Sequence, residues 1–174
     1  MAVITIDGIA KEYPDGTTYE SIAGEYQKEY DNMIALVLEN GKIRELFKTV
    51  HKDCELSFLT LKDNIGHKAY VRTAIMILLK AIHDVYGKGN VPKVKVEFAI
   101  GQGYYCDVRT EEKLTEQKVK QIARRMRELV NQDLPVTKKS YPIEEARALF
   151  REHKMEDKEK LFRYRRSSFV NVYC

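Results

Sequence analysis

The chain has 174 residues, 44% hydrophobic and 32% charged, with a formal net charge of +4. That supplies enough apolar material for a real core in one or two domains. No run of about 18 apolar residues is present, and the opening "MAVITIDG" lacks a basic segment followed by an apolar core, so neither a membrane-spanning chain nor a secretory precursor is expected.

Three cysteines, Cys54, Cys106 and Cys174, form no CxxC and no paired spacing, which points to free thiols in a reducing compartment, the cytoplasm. Charge is uneven. Residues 1–108 hold 13 Lys/Arg against 15 Asp/Glu, whereas residues 109–174 hold 17 against 11. The C-terminal third therefore either faces a polyanion such as RNA or forms a solvated helical surface diluted by its own acids.

"VITI", Asp7-Gly8 and "IAKEY" spell strand, two-residue turn and strand, because Asp-Gly accepts the positive φ that a tight hairpin needs. Thr17 and Glu20 stand at capping-box spacing and open a helix to about Tyr30, with Ile22, Ala23, Tyr26 and Tyr30 inward. "MIALVLE", an Asn40-Gly41 turn, "KIREL" and "CELSFLTL" follow; in the last, Leu56, Phe58 and Thr60 alternate with polar neighbours. This order is that of a small β-grasp. "KDNIGHK" (62–68) reads as a linker, on its polarity and Gly66.

Residues 69–87 are apolar nearly all round, so this helix is expected to be central and covered on most sides, stopping at Gly87. "KVKVEFAI" places Val94, Val96, Phe98 and Ile100 on one strand face; "GQG" turns it and "YYCDV" returns. Residues 111–132 form an amphipathic helix with Val119, Ile122, Ala123, Met126, Leu129 and Val130 on its apolar stripe. An extended "LPVTKKSY" leads to a helix from Pro142 to about His153, then a charged helical turn, then a strand "SFVNVYC". The chain stops inside that strand, which suggests an excised piece of a longer protein.

The Gly101/Gly103 pair lacks a third glycine and is followed by a strand rather than a helix N-terminus, so it cradles no dinucleotide. "YGKGN" (86–90) has no glycine five residues before Gly87 and no Ser/Thr after Lys88, so no Walker loop is present. His51, His67, His83 and His153 lie sixteen or more residues apart, without metal-ligand spacing, and each reads as a surface or packing residue. Cys106 has no sequence neighbour that would lower its pKa and reads as a strand thiol.

One constellation stands out. Arg72, Met76, Lys80 and His83 recur at spacings of four, four and three along one helical stripe. Arg72 and Lys80 are the cations of an otherwise apolar stretch, and an uncompensated buried cation is costly. Either Lys80 pairs with Asp84 and Arg72 faces solvent, or the stripe and Tyr104 and Tyr105 line a groove for an anionic ligand.

"TIDGIAKEYPDGTTYESIA" resembles the start of a TGS domain, the β-grasp module of threonyl-tRNA synthetases and some GTPases. "AIGQGYYCDV" and "LTEQKVKQIARRMRELVNQDLPVTKKSYPIEEARALF" resemble the editing domain, or second additional domain, of threonyl- and alanyl-tRNA synthetases. The resemblance covers nearly the whole chain. It implies an α+β molecule: a ubiquitin-like β-grasp at 1–62 and, at 68–174, a degenerate editing domain with a central helix on an antiparallel sheet. Departures are as informative. Arg72 and Met76 stand where the editing centre has its His-x-x-x-His pair, Asn171 replaces an aspartate, Tyr173 replaces the cysteine, and Cys174 falls one residue late, on the opposite strand face. Lys158 alone matches a functional residue of that pocket. Metal binding and aminoacyl-ester hydrolysis are therefore not expected, and no catalytic residue is assigned.

The same domain pairing resembles the N-terminal part of bacterial uridine kinase-like nucleoside kinases, in which a P-loop domain follows and would carry ATP and Mg. On that resemblance the chain is a regulatory or ligand-binding region whose groove, Arg72, Lys80, His83, Tyr104, Tyr105, Lys158 and Asn171, holds a small anionic or nucleoside-like ligand or a nucleic acid 3′ end, with the kinase domain as its partner. Two alternatives are an RNA- or tRNA-binding module acting through Lys118, Lys120, Arg124, Arg125 and Arg127, and residual trans-editing of mischarged tRNA through Lys158. No cofactor and no membrane partner are expected for the chain itself.

Overall fold

Two tight turns shape the N-terminal part of the molecule. The computed structural model describes residues 1–87, 92–101, 103–110, 112–153, 155–166 and 168–173. The motif piece at 88–90 and Cys174 lie outside the described residues. Strands β1 (Ala2–Ile6) and β2 (Ile9–Tyr13) are joined by Asp7 at φ +48° and Gly8 at φ +79°; β3 (Ile34–Glu39) and β4 (Lys42–Glu45) are joined by Asn40 at +49° and Gly41 at +76°. Positive φ at both turn positions gives the backbone twist that matches the flanking strands. With β5 (Cys54–Thr60) these strands form one sheet in the order β2-β1-β5-β3-β4, with β1 and β5 parallel and the other pairs antiparallel.

Helix α1 (Tyr19–Tyr26), extended by a 3₁₀ turn at Gln27–Glu29, lays Ile22 and Ala23 onto that sheet among Ile4, Ile6, Val37 and Leu56, all buried. Tyr26 and Tyr30 close the edge of this core against Phe58, as the periodicity requires. The cap differs from expectation by one residue. Thr18, not Thr17, accepts from the Ser21 amide at 3.2 Å, because the Thr17 hydroxyl donates to the Pro14 carbonyl at 2.7 Å.

The expected linker does not exist as one. Helix α2 (Asn64–Tyr86) starts inside it. Asp63 precedes the helix and its carboxylate accepts from the Thr60 amide (2.7 Å) and hydroxyl (2.9 Å), locking β5 to the helix start. Gly66 is buried there because the helix passes against the end of β5. Nor is α2 covered on most sides: Gly66, Ala81, Ile82 and Tyr86 are its buried residues, and 74–79 are half-buried.

A hairpin of β6 (Lys93–Ile100) and β7 (Gly103–Arg109) and helix α3 (Glu116–Asn131) follow. Ile122 and Leu129 are buried along α3, whereas Val119 and Val130 are 49% and 59% exposed, so its apolar stripe is narrower than expected. The chain divides into two units, Met1–Arg127 and Glu128–Cys174. In the second, β8 (Lys138–Pro142) pairs antiparallel with β9 (Phe169–Tyr173), and α4 (Ile143–Glu152) and α5 (Glu156–Arg163) cover one face. Ala146, Phe162 and Val170 are its buried centre, with the Phe150 and Phe162 rings stacked 5.3 Å apart. The molecule is α+β, and among the described residues no helix is long and apolar enough to cross a membrane.

Candidate nucleic-acid interface

The α2 stripe resolves into separate roles. Lys80 forms an ion pair with Asp84 one turn on, and Arg125 Nε of α3 reaches the other oxygen of Asp84 at 2.8 Å. Burial on its own would push the Asp84 carboxyl up, but the hydrogen bonds from Lys80 and Arg125 hold it below the usual carboxylate range. Arg72 is exposed, with no acidic partner among the described residues, and His83 is half-buried. Lys80 thus belongs to a two-cation clamp on Asp84 that ties α2 to α3.

The five α3 cations divide by helical angle. Lys118 and Arg125, seven residues apart, turn toward the protein: Lys118 Nζ lies 4.8 Å from the Tyr86 ring centre and 3.2 Å from Glu112. Lys120, Arg124 and Arg127, spaced four and three, share an exposed stripe. Lys120 makes a 2.9 Å pair with Glu116 in which both side chains are largely in water. Such a pair contributes little to stability.

A bulge sets the chemistry of the hairpin. Val96 faces Cys106 and Phe98 faces Tyr105, leaving Glu97 as the extra residue. Cross-strand partners share a face, so the bulge moves Phe98 off the face of Val94 and Val96, contrary to the simple alternation of the sequence. Val94 and Val96 are half-buried; Phe98 and Ile100 are 57% and 59% exposed. The Phe98 and Tyr105 rings stack at 5.3 Å on one face. Tyr104 projects from the other, so the two tyrosines do not line a common surface. Both are about half exposed.

In the second unit Lys158 is an exposed residue of α5, and Asn171 is exposed opposite Ser140, because Val170 and Val172 take the core side of β9. Sequence reasoning missed the centre of this unit. Glu159, 7% exposed, accepts from Arg147 at 3.0 Å, Arg151 at 3.4 Å and Arg163 at 3.5 Å. Arg147 holds its carboxyl below the usual range. The arginine-rich sequence around it was the available signal.

The remaining groups do not converge. His51 bonds Thr49 (2.8 Å) and Asp15 (3.1 Å), and the His153 Nδ1 lies 2.9 Å from the Leu149 carbonyl. Among the described residues no group of three or more His, Cys, Asp or Glu side chains could hold a metal ion. Burial pushes the Cys54 thiol up, and Cys106 is half-buried near the Tyr104 carbonyl.

No protein-family model matches the chain. Among curated proteins it is similar to threonine–tRNA ligases: 33% identical to that of Thermotoga petrophila over 95% of this chain and 27% of the ligase, and 28% identical to threonine–tRNA ligase 2 of Bacillus subtilis over 83% of this chain and 22% of the ligase. It is 28% identical to the ligase of Acetivibrio thermocellus over 84% of this chain. The chain spans about a quarter of the length of these relatives, and its similarity is to their N-terminal, TGS and editing-like region.

Proposed function

We propose that this chain is a tRNA-related binding module without hydrolytic chemistry, engaging the RNA backbone through the exposed Lys120, Arg124 and Arg127 stripe of α3. The reading is supported by similarity to threonine–tRNA ligases across most of the chain combined with the side chains at the editing positions. Arg72, Met76, Asn171 and Tyr173 stand where imidazoles, a carboxylate and a thiol would be needed to activate water. On this reading the TGS-like part is 1–62, the editing-like part 68–174, and the module works in the cytoplasm. A uridine kinase-like parent draws no support from these relatives, each of which is named threonine–tRNA ligase.

The observation that carries the proposal is the shared face of the three α3 cations. Filter binding of tRNA at low ionic strength tests it. Affinity should fall steeply as salt rises, and replacing all three by Gln should lower the log–log salt slope by about 2 to 3. No binding at low salt would defeat the proposal, and so would turnover of seryl-tRNA abolished by Lys158→Ala.

A further inference from the structure

The segment after Glu159 carries Lys160, Arg163, Arg165 and Arg166 and no acidic residue as far as residue 174. Two of these cations have a structural explanation. Lys160 and Arg163 lie in the last turn of α5, where positive charge complements the helix dipole, and Arg163 also reaches Glu159. Arg165 and Arg166 lie beyond the helix and have no acidic partner among the described residues; Glu159 is already bonded by three other arginines. Between them and Arg163 stands Tyr164, 84% exposed, the most exposed aromatic side chain in the described structure.

This surface is held in place. Arg165 lies 5.5 Å from the ring centre of Phe162, and Phe162 is buried and stacked on Phe150, so the guanidinium rests against an aromatic pair of this unit's core. Tyr164 ends α5, its amide donating to the Leu161 carbonyl at 3.4 Å. A freely offered ring flanked on both sides by cations is the arrangement that binds a single-stranded nucleic acid: the ring stacks on a base while the cations meet adjacent phosphates. An acidic peptide offers no flat face on which the tyrosine can stack.

We infer that Tyr164, with Arg165 and Arg166, is a stacking site for a single-stranded stretch of RNA. The inference rests on the tRNA-related reading above but uses side chains other than the α3 cations. The test is fluorescence anisotropy of the whole chain with a labelled unstructured RNA 12-mer, a duplex of the same length, and tRNA. Tyr164→Ala should weaken 12-mer binding roughly tenfold, and Tyr164→Phe should retain it. Arg165→Ala with Arg166→Ala should lower the salt slope by about 1 to 2. Unchanged affinity of Tyr164→Ala, equal affinity for the duplex, or equal displacement by polyglutamate would each overturn the site. If the α3 variant loses tRNA while Tyr164→Ala leaves the 12-mer unaffected, this inference fails alone; if the wild-type chain binds no RNA at low salt, both readings fail.

Discussion

Gly24 and Gly66 both sit inside helices, yet a methyl group added to each should have opposite outcomes. A Cβ at Gly66 would stand 2.0 Å from the Thr60 carbonyl oxygen and 2.9 Å from its carbon, and this backbone is fixed by the Asp63 carboxylate. Gly66→Ala should therefore destabilise the N-terminal unit by about 1–3 kcal/mol. At Gly24 nothing lies within 4 Å, so Gly24→Ala only removes the entropic cost of glycine in a helix and should stabilise by about 0.5–1 kcal/mol. Urea melts of the two variants measure both signs, and equal effects would contradict the close-approach account of Gly66. Asp84 makes a related point about reading single residues. Lys80 looks available to a ligand until the acid four residues on is considered, and Arg125 reaches the same acid from 41 positions away.

At the scale of elements, the turns Asp7-Gly8 and Asn40-Gly41 were legible because the constraint that selects them is local. The inward faces of α1 and β5 were legible because the sheet beneath them imposes a regular period. Gly66 misled for the opposite reason: a glycine demanded by a neighbouring backbone looks, in one dimension, like a chain breaker. The hairpin was misread for a similar cause, since a bulge is a property of two strands and Glu97 carries no mark of it. Within the candidate site, the Lys80–Asp84 spacing was readable, whereas the split of α3 into inward Lys118 and Arg125 and outward Lys120, Arg124 and Arg127 depends on where Tyr86 and Asp84 lie. The bulge can be tested. Deleting Glu97 leaves every cross-strand partner in place, because Val96 already faces Cys106 and Phe98 already faces Tyr105. The deletion should fold, and NMR cross-peaks between the Phe98 and Tyr105 rings should persist. Loss of those contacts would show that the extra residue sets the local twist on which the stack depends.

For the molecule as a whole, acid should be the destabilising direction, and the reason lies in both units. Hydrogen bonds hold several carboxyls below their usual range: Arg44 does so for Glu39, Lys11 for Glu25, the Thr60 amide and hydroxyl for Asp63, and Arg147 for Glu159. A carboxyl depressed in the folded state binds its proton more readily in the unfolded chain, whose carboxyls titrate near pH 4. The stability it contributes is complete above that pH and is lost as pH falls through the lower folded value. Thermal midpoints should thus be nearly level from pH 8 to about 5 and drop below about 4. Glu159→Gln isolates the second unit's share. The variant leaves three arginines around a neutral amide and should melt below the wild type at pH 7. As pH approaches 3 the wild type loses the same charge by protonation, so the gap between the two should narrow. A gap that stayed constant with pH would mean that Glu159 acts through packing alone, and the ionic account of this unit would have to be abandoned.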